Sequence, residues 1–330
     1  MSAAVDVAER GDPTAATAGA RRRPRHAVAA RVLPWLVTIL IFALIFSRVP
    51  LASVWRALEG ARLAPYLAIM IPYSVFYLAI DTFCLTRVIN WFNGPISYRD
   101  VLPIRATTYL LTVVNSNLGQ GGIALYLHRR AAVPLLEVAS SVLFLMFVEL
   151  YQLTFFSSLG VLLAPRAIDL PLGTVYAGLY GYLLLHLALF RVGRNWLARR
   201  PAARILRSFR LASPRHYVLL LLYKSPNFLM ATVVYYAGLQ CFGMHVPYRE
   251  LILFLPIIFF SAALPIGVAH LGAPQLLWIY FFGRYAPEAS LLAFSLATHF
   301  IFMMMNAALG VPFLPRATRE LMRGAGDDAV

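Results

Sequence analysis

Apolar residues in this chain fall into long runs, and two kinds of polar position interrupt them: arginine clusters, and two segments punctuated by glycine and proline. The long runs cover residues 32–46, 63–85, 135–164, 172–190, 216–242 and 288–312. A bilayer core takes about 20 consecutive apolar residues, so these runs predict about six transmembrane helices. After the first run, Leu51, Val54, Trp55 and Leu58 recur at helical spacing, with Arg56, Glu59 and Arg62 on the other side. That pattern predicts a short helix within 48–62 lying in the outer interface.

The arginine clusters orient the runs. Arg21, Arg22, Arg23, Arg25 and Arg31 precede the first, and no small-residue cleavage site follows it. A retained span is expected, preceded by a disordered basic cytoplasmic tail over 1–31. Arg87, Arg99 and Arg105 follow the second run, and eight arginines between Arg191 and Arg215 follow the fourth with no acid among them. Both segments read as cytoplasmic, as does a C-terminal tail over 316–330 with Arg316, Arg319 and Arg323. The Arg191 to Arg215 loop interleaves aromatic and aliphatic residues, which suits contact with anionic lipid headgroups.

Counting sides leaves two apolar segments, 101–130 and 251–287, that must each enter and leave by one face. The first is broken by Asn115-Ser-Asn-Leu-Gly-Gln-Gly-Gly122 and the second by the glycine- and proline-rich stretch 263–274. They predict two opposed re-entrant helical hairpins, and with them an inverted repeat. Non-helical backbone at membrane depth needs protein or a wet cavity to satisfy its amides. Asn115, Asn117, Gly119, Gln120, Gly121 and Gly122 would therefore line a polar pathway from one side, and Pro265, His270 and Gln275 from the other. Gly119, Gly121 and Gly122 also suit close helix packing, and that alternative stands beside the first.

Composition agrees with the pattern. The 330 residues are 60% hydrophobic and 13% charged, with mean hydropathy +0.71, where a soluble domain carries about 25% charged residues. The fold class is all-α integral membrane, a single domain over 32–315. The net charge of +15 sits where topology needs it, so a nucleic-acid partner is not expected. Cys84 and Cys241 both lie in apolar segments and imply neither a disulfide framework nor a metal cluster. No His-Glu-x-x-His, Gly-x-x-x-x-Gly-Lys, Cys-x-x-Cys or Gly-x-Ser-x-Gly occurs, so no enzyme, cofactor or metal is expected.

Embedded polar residues mark where function would reside. Glu149 falls mid-span, where an ionised carboxylate costs on the order of 3 kcal/mol unless paired or protonated. Lys224, the one lysine in the chain, precedes Pro226 and Asn227; it either contacts a headgroup or snorkels to the interface. Asp81 has Lys224, Arg87 and Arg105 as possible partners. His299 lies in the last span. His186, deep in another, is read as a packing residue.

These residues carry a family likeness. Asn117-Leu-Gly-Gln-Gly-Gly-Ile-Ala-Leu-Tyr-Leu-His-Arg-Arg130 resembles a signature of the flippase-like transmembrane region of lysylphosphatidylglycerol synthases, and Leu264-Pro-Ile-Gly-Val-Ala-His-Leu-Gly-Ala-Pro-Gln275 resembles a second one. The likeness covers residues 33 to 315. No residues remain for the soluble aminoacyl transferase domain, so aminoacylation is not implied. The family's acid in the first signature is absent here, Gln275 replaces the second, and His299 stands where an arginine is usual.

The resemblance implies a bacterial inner-membrane protein, both termini cytoplasmic, that moves a lipid or lipid-linked headgroup between leaflets. A secondary transporter of a small amphipathic solute, or a non-catalytic membrane subunit working with a lipid-modifying partner protein, are the alternatives from other classes. An integral-membrane transferase is a weaker one, for want of assignable chemistry.

Overall fold

In a computed structural model of the chain, the residues described are 25–114, 116–131, 133–163, 172–192, 204–263 and 271–315, and they form twelve α-helices with a final 3-10 turn. In chain order these are α1 Arg25–Arg48, α2 Leu51–Glu59, α3 Leu63–Phe92, α4 Tyr98–Val114, α5 Ser116–Ala131, α6 Leu135–Leu163, α7 Leu172–Val192, α8 Arg207–Leu211, α9 Pro214–Cys241, α10 Tyr248–Ala263, α11 Ala273–Phe282 and α12 Glu288–Gly310. Five of them, α3, α6, α7, α9 and α12, are long and apolar enough to cross a bilayer. A sixth candidate is the pair α1 and α2, bent by 80° at the break between them. The chain is thus an all-helical, multi-pass membrane protein. Helix α1 begins at Arg25, inside the segment expected as a tail, since arginine and the alanines that follow are strong helix formers.

The amphipathic segment forms α2 as its pattern requires: Val54 is buried while Leu51 and Trp55 stay exposed beside Arg56. Chain breaks carry their own chemistry. Pro214 opens α9 where it costs no hydrogen bond, and the Ser213 amide donates to His216 Nδ1 at 2.9 Å.

One expected break is nearly absent. Helix α5 resumes at Ser116, so Gly119, Gln120, Gly121 and Gly122 are helical, not an unwound tip. Packing overrides the low helix propensity of glycine here. A methyl at Gly119 would collide with Thr112, and one at Gly122 would press on Leu111 and Thr108 at 2.9 and 3.4 Å. Helices α4 and α5 therefore lie antiparallel and close.

The two halves of the chain run through the same order of elements: long helix, short helix, long helix, two shorter helices, long helix. The register between them is steady. Tyr98-Arg99-Asp100 opens α4, and Tyr248-Arg249-Glu250 opens α10, 150 residues later. Phe92 meets Phe144 edge-on at 5.1 Å and 78°, and at the same separation Phe242 meets Phe294 at 5.3 Å and 79°. Gly160 of α6 abuts the backbone of α10 at Leu253, while Gly310 of α12 abuts the backbone of α4 at Ala106; a Cβ at either would collide. Both are close helix approaches of the kind small residues permit.

Helices α3 and α9 cross the centre antiparallel. The Arg62 amide donates to the Cys241 carbonyl at 2.9 Å, Phe83 meets Tyr223 at 5.1 Å, and Trp91 meets His216 at 5.0 Å. The apolar core divides accordingly. One cluster joins the C-terminal half of α3 to α5 and the start of α6 and α9, and the other joins the N-terminal half of α3 to α10, α11 and the start of α12. A polar layer lies between them.

Candidate functional site

That layer is built by four helices at one level. Asp81 projects from α3 and is 2% exposed. Its carboxylate pairs with Arg105 of α4 and accepts from Tyr109 Oη at 2.9 Å, one turn further along α4. Lys224 of α9 donates to Glu149 Oε2 of α6 at 3.0 Å. The two pairs differ in exposure. Asp81 and Arg105 are both largely enclosed, whereas the Lys224 side chain is 5% exposed and that of Glu149 43%. The cluster therefore opens on the Glu149 side.

Of the three partners considered for Asp81, Arg105 is the one it binds. Arg87 instead lies over the Phe83 ring at 5.0 Å. Two acids and two bases sum to zero charge, which suits a low-dielectric layer. Such pairs contribute little to net stability compared with apolar packing, although breaking one is costly.

Tyr77 bounds the cluster, its ring 6.4 Å from Tyr109 and 5.1 Å from Phe302. Across from it, Asn227 Nδ2 reaches the Tyr77 carbonyl at a long 3.5 Å. Asn227 Oδ1 and Gln152 Nε2 are among the buried polar atoms without a hydrogen-bond partner, as is Asn306 Oδ1 on α12. Native interiors leave few such groups unpaired.

Asn115, Pro265 and His270 lie outside the described residues, as do the side chains of Asn117 and Gln120. Gln275 is 1% exposed, and its Oε1 accepts from the Gly272 amide at 2.6 Å. This bond caps the start of α11 and serves the fold. His299 stays on α12 with its ring edge toward Phe300 at 5.8 Å. Among the described residues α5 packs on α4 and α6, while α11 packs on α10, α12 and α1; residues 115 and 264–270, which form the two expected tips, lie outside them.

His186 is a packing residue as expected, stacked on Phe147 at 4.5 Å with Nε2 3.0 Å from Tyr217 Oη. Arg207 of the basic loop pairs with Glu137 at 2.6 Å and donates to the Phe92 carbonyl at 2.7 Å. The histidines, cysteines and acids among the described residues form no group fit to hold a metal ion.

Neither a protein-family model nor a curated protein matches this chain. The site is therefore argued from its own geometry. Of the residues singled out from the sequence, Glu149, Lys224 and Asn227 lie in or beside this layer, and the sequence reading passed over Tyr109, Gln152 and Tyr77. Their spacing was a usable signal, since Tyr109 follows Arg105 by four residues and Gln152 follows Glu149 by three, each on the same helix face.

A second ion cluster lies at the mouth of the second pair of short helices. Glu250, buried at the start of α10, binds Arg284 at 2.6 Å and the Tyr285 hydroxyl. The Glu250 carboxylate raises the Arg284 guanidinium above its ordinary pKa through that hydrogen bond. Half of the Arg284 side chain is exposed, so the contact acts as a latch between α10 and the turn before α12.

Proposed function

We propose that this protein moves a lipid, or a lipid-linked polar headgroup, between the leaflets of a bacterial inner membrane. Its two halves act as an inverted repeat, and α4–α5 and α10–α11 act as re-entrant hairpins entering from opposite faces. What carries the reading is the charge cluster of Asp81, Arg105, Glu149 and Lys224. It lies midway along α6, about 20 Å from either helix end at 1.5 Å per residue, and it opens on one side at Glu149. Ionisable groups at that depth normally mark a transport pathway.

The matched register of the halves supports the same reading, because inverted halves meeting at the midplane can rock against each other around a fixed site. The antiparallel crossing of α3 and α9 places Tyr77 and Asn227 at the centre of that relation. The cytoplasmic placement of both termini rests on the arginine distribution, and the lack of an assignable catalytic group favours a carrier over a transferase.

The deciding experiment uses the full chain in liposomes with acyl-labelled fluorescent lipids and an impermeant quencher. Protein-dependent acceleration of lipid exchange between leaflets is the expected result. Rates equal to protein-free vesicles for every bacterial lipid class would remove the proposal. The enclosure of Asp81 and Arg105 fits the alternative of a small-solute carrier, and uptake of amphipathic solutes without lipid movement would favour it.

A further inference from the structure

The seam between α6 and α9 holds more unsatisfied chemistry than an ion pair needs. These helices run parallel: Phe144 meets Tyr217 at 4.9 Å, Glu149 meets Lys224, and Phe156 stacks on Phe228 at 4.4 Å. Gln152 and Asn227 each stand one turn beyond the ion pair, at the level between it and the stacked rings. Both are more than nine-tenths buried, at 3% and 8% exposure. One offers an unpaired donor, Nε2, and the other an unpaired acceptor, Oδ1. Had they faced each other directly they would have bonded. One helical turn away, the Lys224 ammonium has three protons and its bond here goes to Glu149.

The same geometry occurs elsewhere in the molecule without the charges. Helices α3 and α12 also run parallel, with Tyr66 Oη donating to Thr298 at 2.7 Å, Tyr73 stacked on Phe302 at 5.4 Å, and Ser74 Oγ 3.8 Å from Met305 Sδ. In the 150-residue register Ser74 corresponds to Lys224, His299 to Glu149, and Phe302 to Gln152. That seam, from residue 66 to 78 on one helix and 294 to 309 on the other, has no Asp, Glu, Lys or Arg. Parallel packing of this kind therefore does not require an ion pair, and the charges on α6 and α9 need another reason.

We propose that the α6–α9 seam binds a zwitterionic lipid headgroup in which a phosphodiester and an ammonium are joined by a short linker. The assignment rests on the translocation reading and narrows its substrate class. The phosphate takes Lys224 and Gln152 as donors, and the ammonium donates to Glu149 and Asn227. Charge decides the class. The four ionised residues are neutral together, so a zwitterion leaves the layer neutral, while an anionic lipid would bring an uncompensated charge to a depth where that is costly. A sugar headgroup would leave both Lys224 and Glu149 without a charged partner once they separate. Glu149 is the exposed member of the pair, so the headgroup arrives from its side and inserts between the two charges.

The test uses the full chain in detergent, given equal amounts of phosphatidylethanolamine, phosphatidylglycerol and glucosyl diacylglycerol with identical acyl chains. Native mass spectrometry counts the lipid retained. The ethanolamine lipid should be retained about tenfold over the other two, a difference of one well-made charged contact. Q152L and N227L remove the unpaired atoms while leaving both ion pairs intact; each should lower that retention about tenfold without lowering the unfolding temperature. E149Q should abolish the preference for the ethanolamine lipid over phosphatidylglycerol, which a merely structural glutamate would not affect.

Equal retention of the three lipids, or wild-type retention in both Q152L and N227L, overturns the assignment. Soluble glycerophosphoethanolamine competing as well as the intact lipid overturns its lipid source. Selective retention without faster transbilayer movement leaves this site standing and removes the translocation proposal. Faster movement with no headgroup preference does the reverse.

Discussion

The two parallel seams, α6 with α9 and α12 with α3, share a geometry and differ in chemistry. Each pairs a long helix of one half with the central helix of the other. The first is filled by Glu149, Lys224, Gln152 and Asn227, and the second by Tyr73, Phe302, Ser74 and Met305. An aromatic and aliphatic seam satisfies itself through packing and needs no counter-ion. The charged seam incurs desolvation and leaves Gln152 Nε2 and Asn227 Oδ1 unpaired; the uncharged one leaves Asn306 Oδ1 unpaired, so it is the charges that set the two apart. Such features accumulate where a protein gives up local stability for function, and the uncharged seam serves as an internal control for that conclusion.

The comparison can be broken most forcefully at Asp81. Replacing it by leucine leaves Arg105 buried without its acid, so Asp81→Leu should destabilise the protein by about 3–5 kcal/mol, read as a loss of folded protein in chemical denaturation in detergent. Retained stability would mean that water or lipid reaches Arg105. Next come the close helix approaches. Gly160→Leu and Gly310→Leu should each cost about 1–3 kcal/mol by overpacking against the Leu253 and Ala106 backbones. If the halves are equivalent, their unfolding midpoints should fall together; tolerance of one alone would break the repeat.

A sharper test converts one seam toward the other. The double substitution Glu149→His with Lys224→Ser removes both charges at once and copies the uncharged seam. Its stability should lie within about 1 kcal/mol of wild type, because exchanging a whole ion pair is far milder than breaking it, while lipid movement in liposomes should vanish. A stable protein that still moves lipid would sever the charges from function. The smallest effect belongs to Arg284→Ala at the exposed latch. Solvent screening limits it to less than about 1 kcal/mol, and protease susceptibility of the turn before α12 should report it better than global unfolding.

How far the sequence could be read varied with the physics involved. Spans were legible because hydrocarbon thickness imposes length and composition on any crossing helix. Helix α2 was legible because its amphipathic spacing is local. Of the glycines that look like a break from sequence, Gly119 and Gly122 are helical and meet Thr112, Leu111 and Thr108, the packing role that the sequence also allowed. The pairing of Asp81 was undecidable along the chain, where Arg105 is 24 residues away and Lys224 much farther. Gln275, read from sequence as a headgroup contact, accepts from the Gly272 amide at the start of α11, a contact visible only with the Gly272 backbone in place.

By itself, the sequence determined the solvent this protein lives in, the lengths of its long helices and the depth of its few charges, because each follows from the cost of polar groups in hydrocarbon. The tertiary structure alone decided which charges meet, which glycines are contacts and which polar atoms are left waiting. Those outcomes depend on helices brought together from distant parts of the chain. Two seams of one geometry received different side chains, and only their superposition in the fold reveals that one of them carries charges that the packing does not need.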